Sequence, residues 1–345
     1  MNKTRQNILV IRLSSIGDVL LASPLLRLLR ERFPGARIDF VVKSQFYDLV
    51  RTNPHIDVVH KLDTDGGYET LKQMRQKLVQ NNYDCVVDIH NNFRSHYLRK
   101  IPGAAVFVIK KYKLQRFFLV KFGWNFYKKI VPVYQRYVNA VSPFGVTDDA
   151  AGLDFFLDPA EEAKMREMLS AHGFQFDRPT LAIAPGASFA TKRWPIECFV
   201  TTIAHLKKEL NLQFLLLGDA SDALYTRLLS DEIGSSAFDF AGKLNLMQTA
   251  CALNCADALL TNDTGLMHLA TALKKSVVAI FGPTVKELGF FPVGKNAFVL
   301  ENEGLSCRPC SHIGRTSCPK KHFKCMREID PQRVLKLLLS LFDGK

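Results

Sequence analysis

Acidic residues are absent from positions 89–147, while Arg94, Arg99, Lys100, Lys110, Lys111, Lys113, Arg116, Lys121, Lys128, Lys129 and Arg136 all fall there. In a chain of 345 residues with a formal net charge of +13, this one segment supplies most of the excess. Its interleaved aromatics, Phe93, Tyr97, Tyr112, Phe117, Phe118, Phe122, Trp124, Phe126, Tyr127, Tyr134 and Tyr137, suit an anionic lipid headgroup, a membrane surface or nucleic acid. A solvated helix face over an aromatic core accounts for the same pattern. Long apolar runs are also missing. No stretch approaches the roughly 20 residues of a membrane span, and the run at residues 8–13 is short and broken by Arg12, so neither a span nor a signal peptide is expected. A cytosolic protein is the expectation. No short-period repeat, no low-complexity tract and no GxxxxGK[ST] phosphate loop is present. The length and 47% hydrophobic content suit a globular chain of two domains.

What is there is an alternation of strands and helices. Apolar strands are predicted at 7–13, 37–42, 57–62 and 83–89, with helices from the turn at 14–18 to about 32, with a kink or break at Pro24, and near 68–81 and 114–127. A charged helix at 158–173, with Pro near its start and Gly at its end, reads as a connector. A second series follows, with strands at 180–184, 212–217, 257–261 and 276–281 and helices near 196–210, 220–233, 247–254 and 266–273. This predicts domains at 1–157 and 158–330, the latter holding a Cys-rich segment at 307–325, and a last helix at 331–345 that is expected to return to the first domain. Both domains are α/β with parallel sheets.

Residues 256–270, ADALLTNDTGLMHLA, end a strand in the turn Asn262-Asp263-Thr264-Gly265, which opens into a helix carrying His268. A helix N-terminus has unpaired N–H groups and partial positive charge, Thr264 adds a hydroxyl donor and Gly265 admits close approach, so a nucleotide diphosphate fits there. Simple capping by Asp263 or Thr264 explains the same residues. In the first half, Asp18 sits where strand meets helix, as a candidate base or a cap. The loop 185–195, PGASFATKRWP, combines small residues with Lys192 and Arg193, which can neutralise a leaving phosphate. Asp222, in the turn at 218–222, offers a carboxylate to ribose hydroxyls, and capping explains it equally. A carboxylate facing a diphosphate site suits a reaction in which a base deprotonates an acceptor hydroxyl while a nucleotide leaves.

These turns together resemble glycosyltransferase family 9, the ADP-heptose:lipopolysaccharide heptosyltransferases. The likeness is carried by RLSSIGDVLLASPLLRLLRERFP, by PGASFATKRWP and by FAGKLNLMQTACALNCADALLTNDTGLMHLATAL with IFGPT. It implies a GT-B fold, two Rossmann-like domains with parallel sheets facing a central cleft. It also implies metal-independent transfer of heptose from ADP-L-glycero-D-manno-heptose to the lipopolysaccharide inner core with inversion. By matching positions, Asp18 is the general base and Lys192 stabilises the diphosphate, with Ser188, Asp263, Thr264, Gly265 and His268 at the sugar nucleotide and Asp222 and Leu244 near ribose and adenine. The basic segment then docks an anionic acceptor at the inner leaflet, with Arg94, Arg99 and Lys100 as regional acceptor contacts. The expected partners are an ADP-sugar, the core acceptor and the inner-leaflet surface, without nucleic acid. The expected location is cytoplasmic, peripheral on the inner membrane.

Four cysteines fall within nineteen residues as Cys307-x2-Cys310-x7-Cys318-x6-Cys325, with His312 and His322 between them. In a reducing compartment this spacing suggests a structural Zn²⁺ site, with free thiols or oxidation-born disulfides as alternatives. No cofactor is expected for catalysis. Cys85, Cys198, Cys251 and Cys255 lie on apolar periodic segments and read as core. Asp63-Thr64-Asp65 mimics a metal-binding DxD but reads as a turn before Gly66-Gly67. Competing functions are transfer from another nucleotide sugar, a nucleotide-sugar 2-epimerase, and a basic zinc-containing nucleic-acid-binding protein. The last has no use for a carboxylate at Asp18.

Overall fold

The computed structural model describes residues 6–343; residues 1–5 and 344–345, the outer ends of the first and last expected segments, lie outside it. Near-continuous apolar runs such as NILVI have no polar face to offer water, so they form parallel strands covered on both sides. Five of them, β1 (Asn7–Ile11), β2 (Arg37–Lys43), β3 (Val58–Leu62), β4 (Cys85–Asp88) and β5 (Ala105–Val108), build one sheet in the order β3-β2-β1-β4-β5. All its pairs are parallel, with Ile8 opposite Ile38 on one side of β1 and Cys85 on the other. The second sheet holds β6 (Thr180–Ala184), β7 (Gln213–Leu216), β8 (Ala237–Asp239), β9 (Ala258–Asn262), β10 (Ser276–Phe281) and β11 (Ala297–Glu301), in the order β11-β10-β9-β6-β7-β8. It too is wholly parallel.

Both orders reverse direction beside the first strand of the sheet, between β1 and β4 and between β6 and β9, which is the doubly wound arrangement that places ligands at the carboxyl ends of the strands flanking the switch. The strands absent from the sequence-based expectation are β5, β8 and β11. Each lies next to or at a sheet edge and is half exposed, so it lacks the apolar run that marks the buried strands.

The chain divides into two compact units, residues 1–111 with 131–156, and residues 112–130 with 157–345. The segment 112–130 thus groups with the second unit, not with the expected first domain. Its helix, Lys113–Phe122, stops short of residue 127 because Gly123 adopts φ 74 and closes the end, its N–H bonding Leu119 O at 3.0 Å and that of Trp124 bonding Phe118 O at 3.3 Å. The last helix, Pro331–Phe342, belongs to the second unit too. Val334, Leu335, Leu338 and Phe342 enter the core formed by Trp194, Phe199, Phe214 and Ile280, which corrects the expected return to the first domain. In the first unit Leu9, Ile11, Val41, Val86 and Leu98 share the core. Pro24 gives a break: one short helix, Ile16–Leu20, ends and a second, Ser23–Arg32, begins with the proline in its first turn.

Candidate active site

In the first unit the switch point carries a tightly held carboxylate. Arg12 follows β1, is buried, and donates to Ile89 O at 2.8 Å, tying together the ends of β1 and β4. Its other nitrogen pairs with Asp18 Oδ1 at 2.6 Å, the two side chains being 8% and 18% exposed. Tyr137 OH donates to the same oxygen at 3.2 Å, and Ser15 Oγ donates to Oδ2 at 3.0 Å. Ser15 is the N-cap and Asp18 completes the capping box at the third helical position, so Asp18 both closes the helix start and bears the charge at the switch point. Burial pushes its carboxyl pKa up, but the Arg12 cation and the bonds from Ser15 and Tyr137 outweigh it and hold it below the usual carboxylate value. His90, beyond β4, is driven to about 3 by burial and then by the Arg12 charge, so its imidazole is neutral.

In the second unit Asn262, at the end of β9, spans the switch point by donating to Pro185 O at 2.7 Å and accepting from Trp194 N–H at 3.0 Å. The next residue, Asp263, is gripped by Lys192 Nζ at 2.8 Å and by the Thr284 hydroxyl at 2.7 Å. Thr264 is the N-cap of the helix Gly265–Ala272, yet its side chain makes no capping bond and stands 3.3 Å from the Thr261 hydroxyl. The first-turn N–H groups of that helix therefore keep their ability to meet an anion. Lys192 is held by its ion pair to Asp263, the residue just before that helix's N-cap.

The family model for glycosyltransferase family 9 (heptosyltransferase) matches residues 71–321. The chain belongs to glycosyltransferase family 9. It is 27% identical over 350 residues to lipopolysaccharide heptosyltransferase 2 of Salmonella typhimurium, covering 97% of this chain and 98% of that protein. Among solved structures, it is similar to the family 9 glycosyl transferase from Veillonella parvula DSM 2008, with a TM-score of 0.82 at 22% identity over 100% of this chain and 99% of the other. It is also similar to Escherichia coli heptosyltransferase WaaC with ADP-2-deoxy-2-fluoro heptose, with a TM-score of 0.68 at 19% identity over 97% and 99%. The fold is GT-B, as the resemblance implied, and the protein is a glycosyltransferase.

In this family 9 enzyme the remaining expected site residues are distributed unevenly. Ser188 is exposed on the loop after β6, and Leu244 is half buried just past Gly242, whose φ of 71 and contact with Ala220 exclude a side chain. Asp222 is buried and accepts the Asp219 N–H at 3.1 Å, while a Cβ on Gly186 would stand 1.9 Å from its Oδ1. That carboxylate thus fills the space the glycine leaves and locks the β6 and β7 loops together; burial raises its pKa against the Asp219 bond. His268 is buried in the helix after Thr264. Arg99 pairs with the buried Asp88 at 3.0 Å, whereas Arg94 and Lys100 are exposed.

The Cys-rich segment braces the loops that carry Lys192 and Thr284. Arg315 N donates to Thr191 Oγ1 at 2.8 Å, next to Lys192, and Arg308 donates to Thr284 O at 2.8 Å while pairing with Glu301. Burial, then neighbouring Cys310, lift the Cys325 thiol to about 11 against the Arg308 cation, with Cys307 and Cys318 adding to the rise. The four thiols are near enough to influence one another. Among the described residues, however, no group of three or more His, Cys, Asp or Glu side chains is arranged to hold a metal ion. The Asp63-Thr64-Asp65 triplet is a turn, with Asp65 N–H bonded to Asp63 Oδ1 at 2.9 Å. Arg12, Tyr137 and Thr284 were not singled out from the sequence as site residues, though Arg12 stood out there as the one charge interrupting an apolar run.

Proposed function

We propose that the enzyme transfers heptose from ADP-L-glycero-D-manno-heptose to the lipopolysaccharide inner core with inversion at the anomeric carbon. The observation that carries this is the uncapped N-terminus at Thr264 with Lys192 beside Asp263. The names of the relatives, a lipopolysaccharide heptosyltransferase and a heptosyltransferase holding an ADP-heptose analogue, support donor and acceptor.

In this mechanism the first-turn N–H groups and Lys192 bind the diphosphate, with Ser188 and His268 at the sugar nucleotide and Asp222 and Leu244 toward ribose and base. The acceptor hydroxyl gives its proton to Asp18 while its oxygen bonds to the anomeric carbon. The bond from that carbon to the phosphate oxygen breaks from the opposite side and ADP leaves with the electron pair. Asp18 suits the role because its low pKa keeps it ionised, and developing charge on ADP is met by preorganised donors. No step uses a metal. A structural Zn²⁺ at Cys307, Cys310, Cys318 and Cys325 rests on their spacing, and metal analysis of the purified protein tests it: one zinc per chain lost in Cys310→Ser supports it, and none in the wild type rejects it.

The test of function follows ADP release with heptose-free core and with singly heptosylated core. Acceptor-dependent release that falls about 10²–10⁴-fold in Asp18→Asn, with ADP affinity unchanged, is the expected outcome. Equal turnover by that variant removes Asp18 from the base role, and release from neither acceptor rejects the assigned substrates.

A further inference from the structure

The helix Lys113–Phe122 has its apolar residues on the wrong side for a soluble protein. Leu114, Phe117, Phe118 and Phe122 follow the i, i+3, i+4, i+8 spacing of one face, which a globular chain ordinarily turns inward. Here Leu119, off that stripe, is the buried residue at 6%, while Leu114 is 72%, Phe117 54% and Phe122 50% exposed. The closing turn at Gly123 then folds the chain back, so that Trp124 stacks on Phe122 at 5.1 Å and on Phe118 at 6.1 Å, and Phe126 meets Phe118 edge-on at 5.4 Å. Trp124 and Phe126 are each 56% exposed. Among the described residues, six of the fifteen exposed large hydrophobics lie between Leu114 and Ile130. A patch of this kind marks an interaction surface.

Around it stand Lys113, Arg116, Lys121, Lys128 and Lys129, none in an ion pair with another of the described residues. We infer that residues 112–130 are a docking wedge for an anionic lipid bilayer, the aromatic cluster entering the headgroup–acyl boundary and the cations resting on phosphates. Aromatic rings ringed by lysines are the composition of that boundary. A second copy of the chain is disfavoured, because a two-fold contact would set five cations against five. Nucleic acid is disfavoured because Trp124, the best base-stacking ring of the cluster, is already stacked on Phe118 and Phe122. No helix among the described residues is long and apolar enough to cross a membrane, so the wedge lies in the surface.

The chain has two tryptophans, and Trp194 is 2% exposed in the core, so solvent-sensitive emission comes from Trp124. The full-length protein, without donor or acceptor, is mixed with vesicles of phosphatidylethanolamine and phosphatidylglycerol or of phosphatidylcholine alone. Co-sedimentation with the anionic vesicles only, a blue shift, and quenching by brominated acyl chains are expected. Combined Phe117→Ser, Phe122→Ser, Trp124→Ser and Phe126→Ser abolishes sedimentation. Lys121→Glu and Lys128→Glu leave the rings in place and weaken binding by about fivefold per removed charge, which keeps the test sound should the serine variant misfold. No vesicle binding, binding indifferent to these changes, a dimer that the serine variant dissolves, or RNA that displaces the vesicles would each overturn the wedge. Because no sugar transfer is measured, failure here is separate from failure of the proposed reaction.

Discussion

Replacing Arg12 with Met removes the cation from a pair separated by 2.6 Å whose side chains are only 8% and 18% exposed. Exposed pairs contribute ~0–1 kcal/mol, but stranding one charge of a buried pair costs ~3–5 kcal/mol. Ser15 and Tyr137 still donate to Asp18, so the expected loss is at the lower end, about 3 kcal/mol at neutral pH. The wild-type Asp18 pKa is lowered on folding. Its contribution is therefore full above the unfolded carboxylate value of about 3.9 and is lost as pH falls through the lower folded value. Without Arg12, burial drives the folded pKa upward, so the variant's deficit is greatest at neutral pH and shrinks on acidification as Asp18 takes up a proton. Urea midpoints across pH, with unchanged slope, read this directly, and the acid limb of kcat/KM moves to higher pH in step. Adding Asp18→Asn to Arg12→Met restores most of the loss. A variant within about 0.5 kcal/mol of wild type, or a deficit that grows toward acid, refutes the coupling.

Lys192→Ala lowers kcat at saturating donor by about 10²–10³-fold, the effect of losing one preorganised charge partner, and Lys192→Arg recovers part of it; unchanged turnover would remove Lys192 from the leaving-group role. Gly186→Ala forces a methyl onto the Asp222 carboxylate and destabilises by about 1–3 kcal/mol, as thermal unfolding will show, with relief when Asp222 is also made Ala. His90, held neutral by burial and Arg12, shows flat imidazole NMR shifts from neutral pH down into the carboxylate range. A titration near the ordinary His value would contradict that environment.

The sheet interiors were legible because β1, β4, β6, β9 and β10 are continuous apolar runs that only a covered parallel sheet can bury. The half-exposed strands β5, β8 and β11 carry no such signal. Asp18 and Asp263 could be found because each lies in a strand-to-helix junction, Asp263 directly after β9 and Asp18 in the first turn of the helix that follows β1. Their partners could not: Tyr137 reaches Asp18 from 119 positions away and Thr284 reaches Asp263 from 21, and no local periodicity encodes such meetings. The last helix was visible as an amphipathic pattern, yet amphipathicity shows only that a face is buried and not which core receives it. Gly123 was a readable stop inside the expected helix at 114–127, and its left-handed turn is what gathers the aromatic cluster.

The chain passes between its two units three times, after residues 111, 130 and 156, and this orders its birth on the ribosome. The aromatic segment 112–130 emerges before residues 131–156 complete the first unit. It must also wait for Glu287, which accepts from Asn125 at 3.2 Å; at typical elongation rates that is on the order of ten seconds. During that interval a nascent chain displays a sticky, cationic stretch that belongs to neither finished body. A stop or a protease cut near residue 157 would therefore release an aggregation-prone fragment instead of a usable domain, and chaperone demand in expression should fall on that stretch.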